Sequence, residues 1–507
     1  MNGSQPGLGA YSGTGEAVSG LSAPLEKAHG QEQDSSRPGR LLCYYGDDFT
    51  GSTDVLESLF RAGLKTVLFL SPPSAELLQE RFATVRCFGV AGVGRSLTPD
   101  QMEQELRPVL ETLKTAGAAV VHYKVCSTFD SSPETGSIGK AAEIGRDVFG
   151  GGRYTPLLAG VPYLRRYTVF GHHFAAAGGE AVFRLDRHPT MSRHPVTPMA
   201  ESDLREHLRK QTELPVSLLD IVALDGAYEG VRGRLEQLLQ AERSKLVLFD
   251  VLDERRLETA GRLIWEEAQQ EAAAGNSLFV VGSSGVEYAL ASWWKTSGLL
   301  NEAADAGADG PSVGEEDRLL TVSGSCSPVT ERQIQAALRA GHAGIRVPAD
   351  QLLQPETSEA AHAQVKAEAL CLLQSGRSVV LYTASGPQDE SIGRIRSILA
   401  AQGCKPEESG RLLGGALGRL TRELVRAAGL RRIVIAGGDT SGYITRELGV
   451  YALSCKAALD PGAPLCEAYS EDLPFDGLEL VLKGGQVGGE HFFEKVRLGG
   501  KAEPVQN

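Results

Sequence analysis

Two kinds of residue cluster carry the polar chemistry of this sequence. The first is acidic: Asp47 and Asp48 stand side by side, with Thr50 and Thr53 close behind. Adjacent carboxylates can orient substrate hydroxyls, act as a general base or hold a magnesium-bound water, and either one can equally cap a helix. Arg95 and Lys124 supply the positive charge that a carboxylate ligand needs. The second kind is rich in glycine and hydroxyl groups. Ser323-Gly324-Ser325-Cys326-Ser327, Thr383-Ala384-Ser385-Gly386, Gly437-Gly438-Asp439-Thr440-Ser441 and Lys483-Gly484-Gly485-Gln486-Val487-Gly488 all lie in the second half. Glycine lets backbone approach a bulky anion, hydroxyls donate to phosphate oxygens, and helix N-termini add favourable partial charge. Turn and cap propensity explains any one such loop; four of them in one half point to a phosphate-bearing ligand.

The elements that must position these clusters follow from hydrophobic periodicity. From Leu41 onward, short apolar runs alternate with longer helical patterns, which predicts parallel βαβ units. Strands are predicted at Leu41 to Tyr45, Thr66 to Leu70, Val85 to Val90, Ala119 to Val125, Leu218 to Leu224, Leu246 to Val251 and Leu278 to Val281. In the second half they are predicted at Arg318 to Val322, Ser378 to Tyr382, Arg432 to Ala436 and Leu478 to Leu482. Each polar cluster directly follows one of these runs, and open parallel sheets bind ligands beyond the carboxyl ends of their strands. Gly92-Val93-Gly94-Arg95-Ser96, Lys124-Val125-Cys126-Ser127-Thr128-Phe129-Asp130 and Gly282-Ser283-Ser284-Gly285 occupy the same kind of position.

A chain of 507 residues exceeds what one hydrophobic core usually serves. The fold class expected is therefore α/β with two domains, each a mostly parallel sheet flanked by helices, and an active site in the cleft between them. Residues 1–38 read as a disordered tail, 39–300 and 317–500 as the domains, and the acidic, small-residue stretch 301–316 as their linker. The stretch from Gly150 to Thr197, rich in Gly, Pro, Arg and His, reads as a functional insertion. Its His172, His173, His188 and His194 match no metal-ligand spacing and suit loop packing or substrate hydrogen bonding. A net charge of −13 argues against nucleic-acid and anionic-membrane partners. Eight cysteines without a CxxC pair suit a reducing compartment, and no stretch is apolar for long enough to span a bilayer, so a cytoplasmic location is expected. A Walker A loop, the HRD and DFG pair of protein kinases, a dinucleotide fingerprint and a G-x-S-x-G elbow are all absent.

The run Asp47-Asp48-Phe49-Thr50-Gly51-Ser52-Thr53-Asp54 resembles the DD-[FL]-TG-[AS]-x-D opening of the four-carbon acid sugar kinase family. Ser323 to Pro328, Gly437 to Thr440 and Lys483 to Gly488 resemble its later blocks, in the same order. The resemblance implies ATP-dependent phosphorylation of small acids such as threonate, erythronate and their 3-oxo derivatives, with ATP and Mg²⁺ as cofactors. It implies that Asp47 or Asp48, Arg95, Lys124, Val125, Cys126 and Ser127 contact the acid, and that Asp47 or Asp48 is catalytic. Ser323, Gly437, Gly438, Asp439, Thr440 and Gly485 would contact ATP. A homodimer is left open. The family's third block usually reads K-x-D-S-T-x-R, whereas Cys126 and Asp130 stand here for its Asp and Arg. Asp130 would repel a carboxylate placed beside it, so Arg95, Lys124, Arg187 and Arg193 are the expected partners of the acid group. A larger or branched acceptor of the 3-oxo-isoapionate type is then expected, with threonate and erythronate as poor substrates. The competing expectations are a two-lobed sugar-acid sensor without catalysis and a nicotinamide oxidoreductase, the latter opposed by the missing dinucleotide fingerprint.

Overall fold

Short runs of aliphatic and aromatic residues bounded by glycine and polar turns make the strands of this chain, and the central parallel strands, such as Leu42–Gly46, Val120–Lys124, Leu320–Ser323 and Arg432–Ala436, are buried on both faces, as parallel sheets require. The computed structural model describes residues 39–177, 181–194, 196–300, 313–404 and 408–501. The predicted tail 1–38 and most of the predicted linker 301–316 lie outside the described residues. In the first half the strands are β1 Leu42–Gly46, β2 Thr66–Phe69, β3 Cys87–Ala91, β4 Val120–Lys124, β5 Thr155–Leu158, β6 Arg166–Val169, β7 His172–Ala176, β8 Val182–Arg184, β9 Val216–Leu219, β10 Leu246–Phe249 and β11 Leu278–Gly282. The second half adds β12 Leu320–Ser323, β13 Ala343–Arg346, β14 Val379–Tyr382, β15 Arg432–Ala436, β16 Val450–Asp460, β17 Ala463–Ser470 and β18 Glu479–Lys483.

Fifteen of these strands form one sheet, in the order β13-β14-β12-β15-β18-β17-β16-β2-β3-β1-β4-β11-β5-β10-β9. The fold is α/β and mostly parallel, as expected, but the two expected sheets are joined edge to edge. The long hairpin β16–β17 makes the joint, pairing antiparallel with β18 on one side and β2 on the other. Its role is physical: an uncovered edge strand in either half presents unpaired N–H and C=O groups, and the hairpin satisfies both edges at once. The joint also reverses strand direction between the halves. The carboxyl ends of β1 and β18 nevertheless meet, since a Cβ on Gly484, after β18, would lie 3.3 Å from the methyl of Thr50, after β1.

The predicted helix Glu254 to Ala273 has the observed bounds, while the strand predicted at Leu218 to Leu224 is instead Val216–Leu219 followed by a turn. The insertion from Gly150 to Thr197 begins with a sheet strand, β5. It then forms a small antiparallel sheet of β6, β7 and β8, which bridges to the main body through mutual Thr168 and Val251 backbone hydrogen bonds. Strand order changes direction at β1 and at β12, each flanked by parallel neighbours on both sides. Crevices form at such switch points.

Candidate active site

Asp47 leaves β1 with its backbone held on both sides: its N–H donates to Lys124 O at 2.9 Å, and its carbonyl accepts from Arg95 N at 3.0 Å. The ends of β1, β3 and β4 are thereby brought to one point. Asp48 then caps the helix Phe49–Arg61, with Oδ1 accepting from Gly51 N. Its Oδ2 accepts from Arg95 Nη1 at 3.0 Å, while Arg95 Nη2 donates to Asp130 Oδ2 at 2.5 Å. Asp130 in turn accepts from Thr128 at 2.5 Å and Thr197 at 2.8 Å. The Lys124 ammonium lies under the first turn of that helix, so close that a Cβ on Gly51 would fall 2.0 Å from Nζ. Only glycine permits this approach.

Electrostatics divide these carboxylates into roles. Burial pushes the Asp47 carboxyl up to about 8, neighbouring Asp48 adds to the rise, and Lys124 and Arg95 offset only part of it. Its Oδ1 is buried with no hydrogen-bond partner. Burial also opposes ionisation of Asp48, but Lys124, Arg95 and the Gly51 N–H outweigh it and hold that carboxyl below the usual range. Lys124 follows the converse logic. Burial favours its neutral form, yet Asp48, Asp54 and Asp47 together raise its pKa. Asp54, one helical turn further along the same helix, has its own pKa raised by burial and sits beside Lys124.

The second half contributes a ladder of hydroxyls. Ser323 Oγ accepts from Ser325 N at 3.4 Å, Ser325 Oγ from Ser327 N at 3.2 Å, and Ser327 Oγ from Val329 N at 3.1 Å, capping the helix Pro328–Arg339. Ser327 and Thr330 both donate to Gly485 O, at 2.5 and 3.0 Å. A Cβ on Gly485 would meet Ser325 Oγ at 2.9 Å and Ser327 Cβ at 3.0 Å, so glycine is required for the two loops to touch. Gly437, at φ 141°, starts the helix Gly438–Glu447 and donates to Lys483 O at 3.0 Å. Gly438 faces open space, since a Cβ there would meet nothing within 4 Å, and Thr440 packs over Gly324. Asp439 lies in the first turn of the same helix; its side chain is outside what the structure describes. Lys483 is fully buried, donates to Thr330 Oγ1 at 3.1 Å, and is pushed down to about 7 by burial.

The two clusters meet. Gly442 approaches the Phe49 ring, with a would-be Cβ 3.1 Å away, and Gly484 approaches the Thr50 methyl at 3.3 Å. Glu57, further along the Phe49–Arg61 helix, accepts from Gly462 N at the tip of the β16–β17 hairpin at 2.7 Å. The N-terminus of one helix therefore carries the acid pair on one side and abuts the glycine loops of the other half.

Most of the sequence-predicted residues converge here. Val125 is instead a core residue, fully buried with its N–H on Gly282 O at 2.7 Å. Ser127 presents its carbonyl, at 2.9 Å from His173 Nε2. The expected carboxylate partners fare unevenly: Arg95 and Lys124 already face carboxylates, and the Arg187 side chain is 80% exposed beside Asp186. Arg193 is also exposed. The histidines of the insertion bond locally: His172 Nδ1 to Ser202 Oγ at 2.9 Å, His194 Nδ1 to Thr197 N at 3.1 Å, and His188 Nδ1 to Thr190 N at 3.1 Å. Asp54, Asp130, Arg166 and Lys483 belong to the site or its wall without having been singled out as ligand residues. Asp54 had a signal, since it closes the opening motif; Arg166 had none, because only the insertion's hairpin brings it near.

Residues 42–290 match a sugar-binding N-terminal domain and residues 320–493 a nucleotide-binding C-terminal domain. The chain is 45% identical over 476 residues to the 3-oxo-isoapionate kinase of Paraburkholderia graminis, covering 94% of this chain and 98% of that one. It is 30% identical over 460 residues to the 3-oxo-tetronate kinase of Pseudomonas fluorescens, covering 91% and 97%. A Salmonella typhimurium LT2 protein of known structure superposes with a TM-score of 0.71 at 25% identity, covering 90% of this chain and 98% of that one. A Haemophilus influenzae structure, at 22% identity and covering 89% and 98%, shares the fold with a TM-score of 0.65.

Proposed function

Because the chain belongs to the four-carbon acid sugar kinase family, we propose that it transfers the terminal phosphoryl group of ATP to a hydroxyl of a branched five-carbon 3-oxo sugar acid. Residues 39–300 bind the acid and 317–500 the nucleotide. The observation that carries this reading is the abutment of a buried acid cluster and a glycine-hydroxyl cradle at Thr50 and Gly484. Phosphoryl transfer asks little of a protein beyond positioning and charge placement, and the two clusters supply one each.

Asp47 is the general base in this scheme. Its unpartnered Oδ1 can accept the acceptor hydroxyl, and a pKa near working pH is the efficient choice for proton transfer. The hydroxyl oxygen attacks the terminal phosphorus, the bond to the bridging oxygen breaks to release ADP, and the hydroxyl proton passes to Asp47. Asp48 is tied to Gly51 and Arg95 and serves to hold the cluster's geometry. The backbone N–H groups beginning the helix Gly438–Glu447 face the phosphates, and Gly485 leaves room for them. Among the described residues no group of three metal-ligating side chains exists, which suits a Mg²⁺ ion carried on the nucleotide with water completing its shell. That ion would neutralise phosphate charge.

Support for this acceptor is the 45% identity to a 3-oxo-isoapionate kinase, together with Cys126 and Asp130, which depart from the K-x-D-S-T-x-R pattern that the resemblance leads one to expect. No helix among the described residues is long and apolar enough to cross a membrane, and the free cysteines fit a cytoplasmic site of action. ADP release is measured across threonate, erythronate, 3-oxo-tetronate and 3-oxo-isoapionate. Preferred turnover of the branched acid is expected. Equal kcat/KM for threonate overturns the acceptor assignment, and absence of ADP release with every acid overturns the kinase reading.

A further inference from the structure

Both cations at the acid cluster are already committed, Arg95 between Asp48 and Asp130 and Lys124 among Asp48, Asp54 and Asp47. A sugar acid still brings a carboxylate that must be neutralised when it leaves water. One further arginine stands at this wall in no ion pair among the described residues. Arg166 opens β6 and is paired across the hairpin with Ala175, as Thr168 is with His173. Residues directly opposite in an antiparallel pair, and residues two apart on a strand, share a face. Arg166, Thr168, His173 and Ala175 therefore project to one side.

The direction of that side is fixed by a hydrogen-bond chain. His173 Nε2 donates to Ser127 O at 2.9 Å, so its Nδ1 accepts, and Thr168 Oγ1 donates to it at 2.9 Å. The face thus looks at the loop following β4, which carries Cys126. Arg166 Nη1 donates to three backbone carbonyls, Leu164 at 2.9 Å, Arg165 at 3.3 Å and Ala176 at 3.5 Å. These anchor the guanidinium through neutral acceptors and give it no ion-pair partner. Its Nε is buried with no hydrogen-bond partner, and among the described residues it enters no ion pair. Cys126 and Asp54 are its ionisable neighbours on the site side.

We infer that Arg166 is the residue that binds the substrate's carboxylate and sets the enzyme's preference for acids over neutral sugars. A planar guanidinium presenting Nε and an amino group matches a carboxylate with two parallel hydrogen bonds. Cys126 completes the arrangement by being a thiol. A carboxylate at that position would neutralise Arg166 internally and exclude the ligand. The inference rests on the sugar-acid kinase reading, and its test separates the two.

Binding of 3-oxo-isoapionate is measured by titration calorimetry without ATP, alongside ADP release with the acid and with its neutral methyl ester. Arg166→Gln is expected to weaken acid binding on the order of a hundredfold, the scale of truncating one partner of a desolvated charge pair. The KM for ATP and the KM for the ester should not move. Arg166→Lys should recover part of the loss. Cys126→Asp should weaken the acid at least about tenfold while leaving the melting temperature unchanged or raised, and it decides the matter if Arg166→Gln fails to fold. Unchanged acid binding in Arg166→Gln or in Cys126→Asp, or an equal loss for acid and ester, overturns the inference. A wild type that binds the acid through Arg166 yet releases no ADP sinks the kinase reading alone.

Discussion

Asp47→Asn should make the protein more stable at neutral pH while disabling it. The Asp47 carboxyl is pushed up to about 8 in the fold, against about 3.9 in an unfolded chain. Between those values the folded state holds a proton that the unfolded state has lost. Stability therefore falls as pH rises through this window, by at most about 1.4 kcal/mol per pH unit. From pH 5.5 to 7.5 the Asp47 contribution amounts to roughly 2–3 kcal/mol. Asparagine has the shape of the protonated acid and stays neutral throughout, so the variant lacks this slope. Thermal melts of wild type and Asp47→Asn should nearly coincide near pH 3.5, where both states of the wild type hold the proton, differ by roughly 2 kcal/mol at pH 5.5 and diverge by several degrees more at pH 7.5, with the variant higher. Turnover should drop by about a hundredfold or more, the scale of a lost general base. Wild-type kcat/KM should rise with pH toward the Asp47 pKa, because the ionised form accepts the proton. Parallel melting curves across this range would refute the assignment of Asp47 as a buried, proton-holding base.

Asp48→Asn should behave oppositely: its carboxyl is held below the usual range, so the stability it contributes is present above about pH 4 and lost as pH falls through its lowered pKa, and melts should show the variant weaker at pH 7 with the gap narrowing steadily as the solution is acidified below about pH 4. Gly438→Val should fold normally, because its Cβ meets no neighbour, yet lose the melting shift produced by ATP with Mg²⁺, about 2.7 kcal/mol at a hundred times Kd; an unchanged shift places the nucleotide elsewhere. Lys483, at about 7, should take up a proton when phosphates approach, so ATP affinity measured by titration should weaken from pH 6.5 to 8.5, and Lys483→Met should flatten that dependence.

The legible part of this molecule was what depends on local sequence. Strand, helix cap and glycine loop are each written within ten residues, which is why β1, a cap at Asp47 or Asp48 and the hydroxyl-rich loop Ser323–Ser327 could be read before any geometry was known, whereas the serine ladder within that loop could not. The joining hairpin was not legible: β16 is largely half-buried and β17 largely buried, without a sustained alternation, and nothing within them announces that their edges close two separate sheets. Short strands such as β5 and β13, each four residues, fall below the length at which periodicity is distinctive.

Charge pairing was the other hidden layer, and it decides the chemistry. From sequence, Arg95 and Lys124 were the natural partners of an acidic substrate because they follow strands beside the acid pair. Folding spends them on Asp48, Asp54 and Asp130, whose burial beside one another demands compensation. The cation left for the ligand then has to come from a segment that contributes none of the opening motif. Arg166 meets that condition because its hairpin is pinned to Ser127 by His173. A neutral thiol at Cys126 keeps that charge available, which links one substitution in the family pattern to the kind of acid the site can hold.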